Sequence, residues 1–166
     1  MDVELHAKVQ RLYAVYAWAV DQGDFGLLDA IITTDIVITR GGADYLGHEA
    51  FVQVYRNSWE GEWSASKHSI TNVMATREED GSIRGQAYFN ATSVRSDRTS
   101  MTLGRYDDTY SRIGGRWVFA TRSLRFMYVV PFEAMGTSFG DQKRIRWPEL
   151  AFTDADIPES LPTWEL

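Results

Sequence analysis

Apolar residues in the first third of the chain recur with the spacing of one helical face, which predicts a helix from about residue 3 to residue 21. The apolar positions of this face are Val9, Leu12, Tyr13, Tyr16, Ala17 and Val20. Gly23 interrupts the pattern, and Asp24 is placed to cap a short second helix. A third helix is predicted from Glu49 to Trp59, with Phe51, Val52, Tyr55 and Trp59 on one side.

The pattern changes to strands further along the chain. A short strand is predicted at 36–38, before the break at Gly41 and Gly42. From Ser64 onward apolar residues alternate with polar ones, and three turn signals divide the rest into four strands. These strands, at about 64–78, 82–95, 100–113 and 116–130, are predicted to form an antiparallel meander that ends at Pro131.

Helices followed by strands are typical of an α+β domain, here residues 1–130. The strands exceed the usual five or six residues, so we expect a strongly curved antiparallel sheet, covered by the N-terminal helices and enclosing a pocket. Residues 131–166 read as an irregular tail that packs on the domain or on a neighbouring subunit.

Composition narrows the classes of function. The 166 residues are 44% hydrophobic, which suits one domain with a substantial core. A net charge of -6, with the 17 basic residues scattered, argues against a nucleic-acid partner. The absence of cysteine excludes disulfides and thiolate chemistry. No segment approaches membrane-spanning length, so neither membrane insertion nor export is expected, and residence in the cytoplasm is the prediction.

Motifs for cofactors are missing from the sequence. The three histidines have no paired spacing, so no metal site is predicted. The chain also lacks a nucleophile elbow, a phosphate loop and a dinucleotide fingerprint. We therefore expect a protein that works without a cofactor.

Four segments together carry a resemblance to a known family, namely residues 16–25 (YAWAVDQGDF), 67–72 (KHSITN), 104–110 (GRYDDTY) and 115–120 (GRWVFA). In their order and spacing they resemble SnoaL-like proteins of the nuclear transport factor 2-like superfamily, over roughly residues 5–130. The resemblance implies a cone-shaped, cystatin-like fold. By pattern the chain is similar to scytalone dehydratase, bile acid 7α-dehydratase and lindane dehydrochlorinase, which have an Asp and a His at the positions of Asp21 and His68.

The resemblance implies that Asp21 and His68 form a general base. An imidazole titrates near neutral pH, and a carboxylate beside it fixes its tautomer. Without the resemblance, Asp21 reads as a solvated residue or a cap near a helix end. His68 then reads as a buried core histidine, since it shares strand parity with Ile70 and Met74.

Tyr16 precedes Asp21 by five residues, the spacing of a catalytic tyrosine in the bile acid enzyme. A phenol there would donate a proton to a leaving hydroxyl or polarise a carbonyl; its alternative role is packing. The relatives carry a second histidine or aspartate on the following strand, whereas residues 89–93 read FNATS here.

Three further aromatic residues are candidates for the substrate-binding wall. The resemblance implies that Tyr106 faces the pocket, and Phe89 and Trp59 are predicted to line it. Core packing is the alternative for all three. His6 and His48 are assigned to the surface.

The function that the resemblance implies is a cofactor-independent lyase or isomerase, of the dehydratase or cyclase kind. It would abstract a proton from a small hydrophobic, cyclic or polyketide-like substrate. A homo-oligomer is expected, with a trimer favoured over a dimer. Two alternatives stay open: a small-ligand-binding module without turnover, and a scaffold like the β-subunits of aromatic-ring dioxygenases.

Overall fold

The computed structural model describes residues 2–61, 63–147 and 150–158. The longer helices are α1 (Val3–Gln22) and α2 (His48–Gly61), and a short 3₁₀ helix covers Phe25–Ala30. The six strands are β1 (Ile32–Arg40), β2 (Ala43–Leu46), β3 (Trp63–Arg77), β4 (Ile83–Arg95), β5 (Thr99–Ile113) and β6 (Arg116–Pro131). A 3₁₀ turn (Phe132–Ala134) and the short helix α3 (Met135–Ser138) follow β6.

Helix α1 begins and ends where its side chains and backbone supply caps. The Asp2 carboxylate accepts a hydrogen bond from the Leu5 N–H at 3.0 Å. At the other end Gly23 adopts φ 67°, and its N–H bonds back to the carbonyls of Ala19 and Val20. The predicted helix is thus confirmed. The predicted capping by Asp24 is wrong, because its side chain makes no cap hydrogen bond and the following turn is 3₁₀.

The sheet is curved and unclosed, with the strand order β2-β1-β6-β5-β4-β3. The predicted α+β fold and the antiparallel meander of the four long strands are confirmed. One pairing departs from an all-antiparallel sheet, because β1 runs parallel to β6. This pairing extends β1 to nine residues, well beyond the short strand predicted from Ile36 to Ile38.

Strand β2 was not predicted, and its exposure to solvent explains why. It pairs with β1 across the Gly41-Gly42 turn, but all four of its residues are exposed. An exposed edge strand carries no apolar alternation in its sequence, so the periodicity could not indicate it.

The predicted parity of His68 with Met74 is wrong, because β3 contains a bulge between the two residues. The register with β4 shifts between Thr71 and Met74, where Asn72 adopts φ 52°. One extra residue inverts the faces of the strand, so Met74 is 65% exposed while Val73 packs against the core. His68 therefore shares its face with Ile70 but not with Met74.

The core lies between α1, α2 and the inner face of the sheet. It includes the buried side chains Val9, Leu12, Tyr13, Tyr16, Phe51, Tyr55, Phe89, Tyr106, Phe119 and Phe126. Gly104 lets two strands and one ring pack closely, since a Cβ there would lie 2.3 Å from the Arg125 carbonyl and 2.7 Å from the Phe89 ring. Phe89 consequently stacks on Tyr106 with ring centroids 4.3 Å apart.

The described part of the tail packs on the domain itself. Ile145 forms isolated bridges with Val129 and Thr153, and Asp156 accepts a hydrogen bond from the Phe126 N–H at 2.9 Å. Ile157 is buried. Among the described residues, no helix is both long and apolar enough to cross a membrane.

Candidate active site

Asp21 is brought into the protein by the last turn of α1. Gly23 caps the end of the helix two residues after Asp21. The Trp59 indole N–H donates to the Val20 carbonyl at 2.7 Å, which ties α2 to this turn. Asp21 is only 8% exposed, and a buried carboxylate needs hydrogen-bond donors. A solvated surface position for Asp21 does not fit this burial.

His68 supplies those donors. The Asp21 Oδ1 and His68 Nδ1 atoms are 2.6 Å apart. The His68 backbone N–H also donates to Oδ2 at 2.8 Å and to Oδ1 at 3.0 Å. Outside this pair, the Lys67 Nζ lies 4.0 Å from Oδ2.

The charge state of Asp21 decides which ring nitrogen of His68 holds a proton. Burial would raise the pKa of Asp21, but the hydrogen bonds from the His68 ring and backbone outweigh it and lower the pKa below 3.8. An ionised carboxylate only accepts hydrogen bonds, so Nδ1 must be the donor. In the neutral ring, Nε2 is then the basic nitrogen.

His68 lines a partly open cavity of about 120 Å³. The wall combines apolar and aromatic side chains with eight hydroxyl groups, two arginines and the histidine. Its lining residues are Tyr16, Arg40, Tyr55, Ser58, Trp63, Ser66, His68, Phe89, Ala91, Ser93, Arg95, Ser100, Thr102, Tyr106, Leu124, Phe126, Val129 and Trp147. A dry cavity of about 150 Å³ holds one benzene, so this cavity suits a single small ring.

Three tyrosine hydroxyls meet in the cavity wall. Tyr16 Oη donates to Tyr55 Oη at 2.8 Å and lies 3.3 Å from Tyr106 Oη. The Tyr16 ring also packs edge-on against the His68 ring, with centroids 6.1 Å apart. Burial raises the pKa of all three phenols, so each keeps its proton at neutral pH and can act as a hydrogen-bond donor.

A buried ion pair lies behind these tyrosines. Arg122 Nε and Nη2 donate to the two Asp108 oxygens at 3.1 and 2.8 Å, and the Tyr13 hydroxyl donates to the same carboxylate at 2.7 Å. Although burial opposes the charge, the Asp108 carboxylate raises the pKa of Arg122, which stays a cation. Its guanidinium carbon lies 4.1 Å from the centroid of the Tyr16 ring and 4.3 Å from that of Tyr106.

The structure brings together five of the six residues singled out from the sequence. Asp21 contacts His68, and Tyr16, Tyr106 and Phe89 share the cavity wall with that histidine. Trp59 is the exception. It lies against Gly23 and packs edge-on against Trp63, and Trp63 rather than Trp59 lines the cavity.

Several lining residues had not been singled out. Tyr55 was assigned only to the apolar face of its helix, and Arg40 ends a strand whose length was underestimated. The positions of Tyr55 and Arg40 at the cavity depend on contacts between segments that are distant in the sequence, and a local pattern cannot predict such contacts. At the position of the relatives' second acid, Ala91 and Ser93 face the cavity, so an additional carboxylate or histidine is absent from that part of the wall.

The remaining histidines lie elsewhere. His48 Nε2 is 2.7 Å from Asp29 Oδ1 at an exposed site, and His6 lies in the first turn of α1. Within the described residues, no group of three or more His, Asp or Glu side chains is arranged to hold a metal ion.

Residues 1–123 match the family model of the SnoaL-like domain, and the chain belongs to this family. The cone-shaped fold that the sequence resemblance implied is therefore confirmed. No curated protein matches the chain significantly.

Solved structures share this fold. A scytalone dehydratase-like protein from Novosphingobium aromaticivorans has 17% identity and a TM-score of 0.70, with 78% of this chain and 88% of that chain covered. The hexachlorocyclohexane dehydrochlorinase LinA-type3 from Novosphingobium barchaimii has 22% identity and a TM-score of 0.71, with 80% and 93% covered. A protein of Novosphingobium aromaticivorans classed with the aromatic ring hydroxylases has 25% identity and a TM-score of 0.71, with 79% and 95% covered. The fold is thus one that lyases use.

Proposed function

We propose that this protein is a cofactor-independent lyase or isomerase in which His68, oriented by Asp21, abstracts a proton from carbon. The observation that carries the proposal is the 2.6 Å contact between Asp21 Oδ1 and His68 Nδ1 at the wall of the cavity. The ionised carboxylate directs the basic Nε2 away from itself and stabilises the imidazolium that forms. General-base help of this kind typically contributes about 10² to 10⁴ in rate.

Tyr16 is the proposed partner acid. Its phenol stays protonated, and its one O–H donates to Tyr55 Oη when no substrate is bound. To act as the acid, the O–H turns to a leaving hydroxyl or a carbonyl oxygen as negative charge develops there, while Tyr106, whose Oη lies 3.3 Å away, can donate to the Tyr16 oxygen. The guanidinium of Arg122, which is paired with Asp108, lies 4.1 Å from the centroid of the Tyr16 ring and holds this ring from behind by a cation–π contact. Base and acid then act on one substrate, and elimination, double-bond migration or ring closure follows.

The cavity volume supports a small substrate. About 120 Å³ admits one ring but not a steroid, so the preferred substrate is monocyclic and hydrophobic. The monocyclic compound named for a structural neighbour, hexachlorocyclohexane, is a starting point for a screen, together with small cyclic hydroxyketones.

The screen compares four proteins: the wild type, His68→Ala, and the matched variants His6→Ala and His48→Ala. Product formation is followed by mass spectrometry. The proposal predicts turnover by wild type, His6→Ala and His48→Ala, and a loss of about a hundredfold or more in His68→Ala. Full turnover by His68→Ala would refute the assignment.

The alternatives predict other outcomes. A ligand-binding module would bind ring compounds without converting any of them, and a scaffold subunit would show neither binding nor turnover when alone. The resemblance to the aromatic ring hydroxylase-type protein is the reason to test the scaffold. We also expect a homo-oligomer, preferably a trimer, which light scattering after gel filtration would measure.

A further inference from the structure

Two arginines mark the entrance of the cavity. Arg40 and Arg95 line the cavity and also line two grooves on the outside of the protein. A residue shared by the inside and the outside lies at the passage between them. The Trp147 ring, contributed by the tail, lines both the cavity and one of these grooves.

Arg40 is held at this entrance by aromatic rings. It is the last residue of β1, and its guanidinium carbon lies 4.9 Å from the centroid of the Trp147 ring and 5.9 Å from that of Phe126. Such cation–π contacts fix the side chain and leave its N–H donors in the plane, where they make no hydrogen bond to any residue that the structure describes. Arg40 is therefore oriented without being neutralised.

The charge of Arg40 has no counter-ion in the part of the chain that the structure describes. No described carboxylate lies within 4.0 Å of its guanidinium, whereas Arg122 pairs with Asp108 and Arg56 with Glu49. Asp154 and Asp156 line the same outer groove as Arg40, but neither forms an ion pair with it in the described part of the chain, and Asp156 accepts from the Phe126 N–H instead. A partly buried cation without a partner, at the wall of the cavity, is suited to a bound anion.

We propose that the substrate carries a carboxylate, which the Arg40 guanidinium binds at the cavity entrance while the ring of the substrate lies beside His68 and Tyr16. This inference rests on the proposed function for the role of the cavity as the reaction site. The planar fork of arginine matches the two oxygens of a carboxylate, and such charge-assisted bonds are roughly twice as strong as those between neutral groups. The substrate class is thus a small cyclic carboxylic acid.

Binding of two matched probes tests this inference without any turnover. Benzoate and benzamide have nearly the same shape and differ in charge, and each would be titrated into the full-length protein by calorimetry at low salt. Wild type should bind benzoate about tenfold or more tighter than benzamide. Arg40→Met should remove that preference and leave benzamide binding within about twofold, and Arg40→Lys should restore part of it.

Arg125→Met is the matched control for loss of one positive charge. Arg125 is exposed on the outer face, 3.8 Å from Asp107 Oδ2, and lies outside the cavity wall. The Arg125→Met variant should keep the benzoate preference of the wild type. Equal binding of the two probes by wild type, an unchanged preference in Arg40→Met, or binding of neither probe would overturn the inference.

The same titration with His68→Ala separates the two proposals. If Arg40 binds the carboxylate, His68→Ala keeps the benzoate preference although it loses turnover. If the preference disappears in His68→Ala and persists in Arg40→Met, the anion is bound by the histidine and the inference fails. The proposed reaction would in that case still be judged by product formation alone.

Discussion

One carboxylate, that of Asp21, receives three hydrogen bonds from a single residue, His68, through the ring Nδ1 and the backbone N–H. The two residues are 47 positions apart in the sequence, at the end of α1 and near the start of β3. The contact therefore fixes the ring and the helix end together. It leaves the other ring nitrogen of a residue that lines the cavity free to face the substrate, with Lys67 Nζ as a further charge 4.0 Å from the carboxylate.

The first prediction concerns the tautomer of His68. Ring nitrogen chemical shifts, measured by NMR at a pH where the imidazole is neutral, should show the proton on Nδ1. In Asp21→Asn the amide can accept or donate, so this preference should weaken and turnover should fall about a hundredfold or more. Asp24→Asn, at an exposed carboxylate without a cap bond, should change neither property. A wild-type ring protonated on Nε2 would contradict the orientation assigned to Asp21.

The second prediction separates two tyrosines on the same helix. Tyr16→Phe removes the proposed proton donor, so turnover should fall by about tenfold or more while stability falls by about 1 kcal/mol. Tyr13→Phe instead removes a bond to the Asp108 carboxylate, which should cost about 1.5 to 3 kcal/mol and leave turnover near that of the wild type. Urea unfolding and turnover assays measure both. The reverse pattern would remove Tyr16 from the mechanism.

The third prediction concerns acid. The pKa of Asp21 is lower in the folded protein than its ordinary value of 3.8. Its ionised carboxylate therefore stabilises the fold at a pH above 3.8, and this contribution is lost as the pH falls through the pKa of the folded state. The free energy of unfolding of the wild type should exceed that of Asp21→Asn by about 1 to 3 kcal/mol at pH 5. This gap should shrink at pH 2.5. A gap that is constant with pH would show that the carboxylate is not stabilised by folding.

The fourth prediction concerns the Asp108–Arg122 pair, whose side chains are fully buried. Removing either partner leaves an uncompensated charge, so Asp108→Asn and Arg122→Met should each cost about 3 to 5 kcal/mol of stability. The double variant should lose much less stability than the sum of the losses of the two single variants. Urea denaturation of the four proteins provides this cycle, and additive losses would show that the two side chains do not interact.

The sequence predicted those parts of the fold that depend on local pattern. Helix α1 and the four long strands follow from apolar spacing and turn residues, and the cone follows from the family resemblance. The parallel pairing of β1 with β6 could not be predicted, because it joins distant segments. The parity of His68 relative to Met74 was wrong because a bulge at Asn72, a residue with no strong bulge signal, inverts the strand.

The candidate site shows the same division. Asp21, His68 and Tyr16 lie in segments that resemble the family, so the sequence alone could single them out. Trp59 shares a helix face with Tyr55, and the helical pattern does not show which of them reaches the cavity. The structure shows that Tyr55 reaches it: the Trp59 indole N–H donates to the Val20 carbonyl, whereas the Tyr55 hydroxyl accepts a hydrogen bond from Tyr16. Arg40 depends on the end of β1 and on Trp147 of the tail, two features without a local signal.

Deuterium exchange at carbon tests the central claim most directly, because it reports removal of a proton rather than binding. The compound that the protein converts is incubated in heavy water, and deuterium in recovered substrate and product is measured by mass spectrometry. We expect the wild type to exchange the carbon-bound hydrogen about a hundredfold or more faster than His68→Ala, with His48→Ala equal to the wild type. Exchange by His68→Ala at the rate of the wild type would contradict the role of His68 as the base.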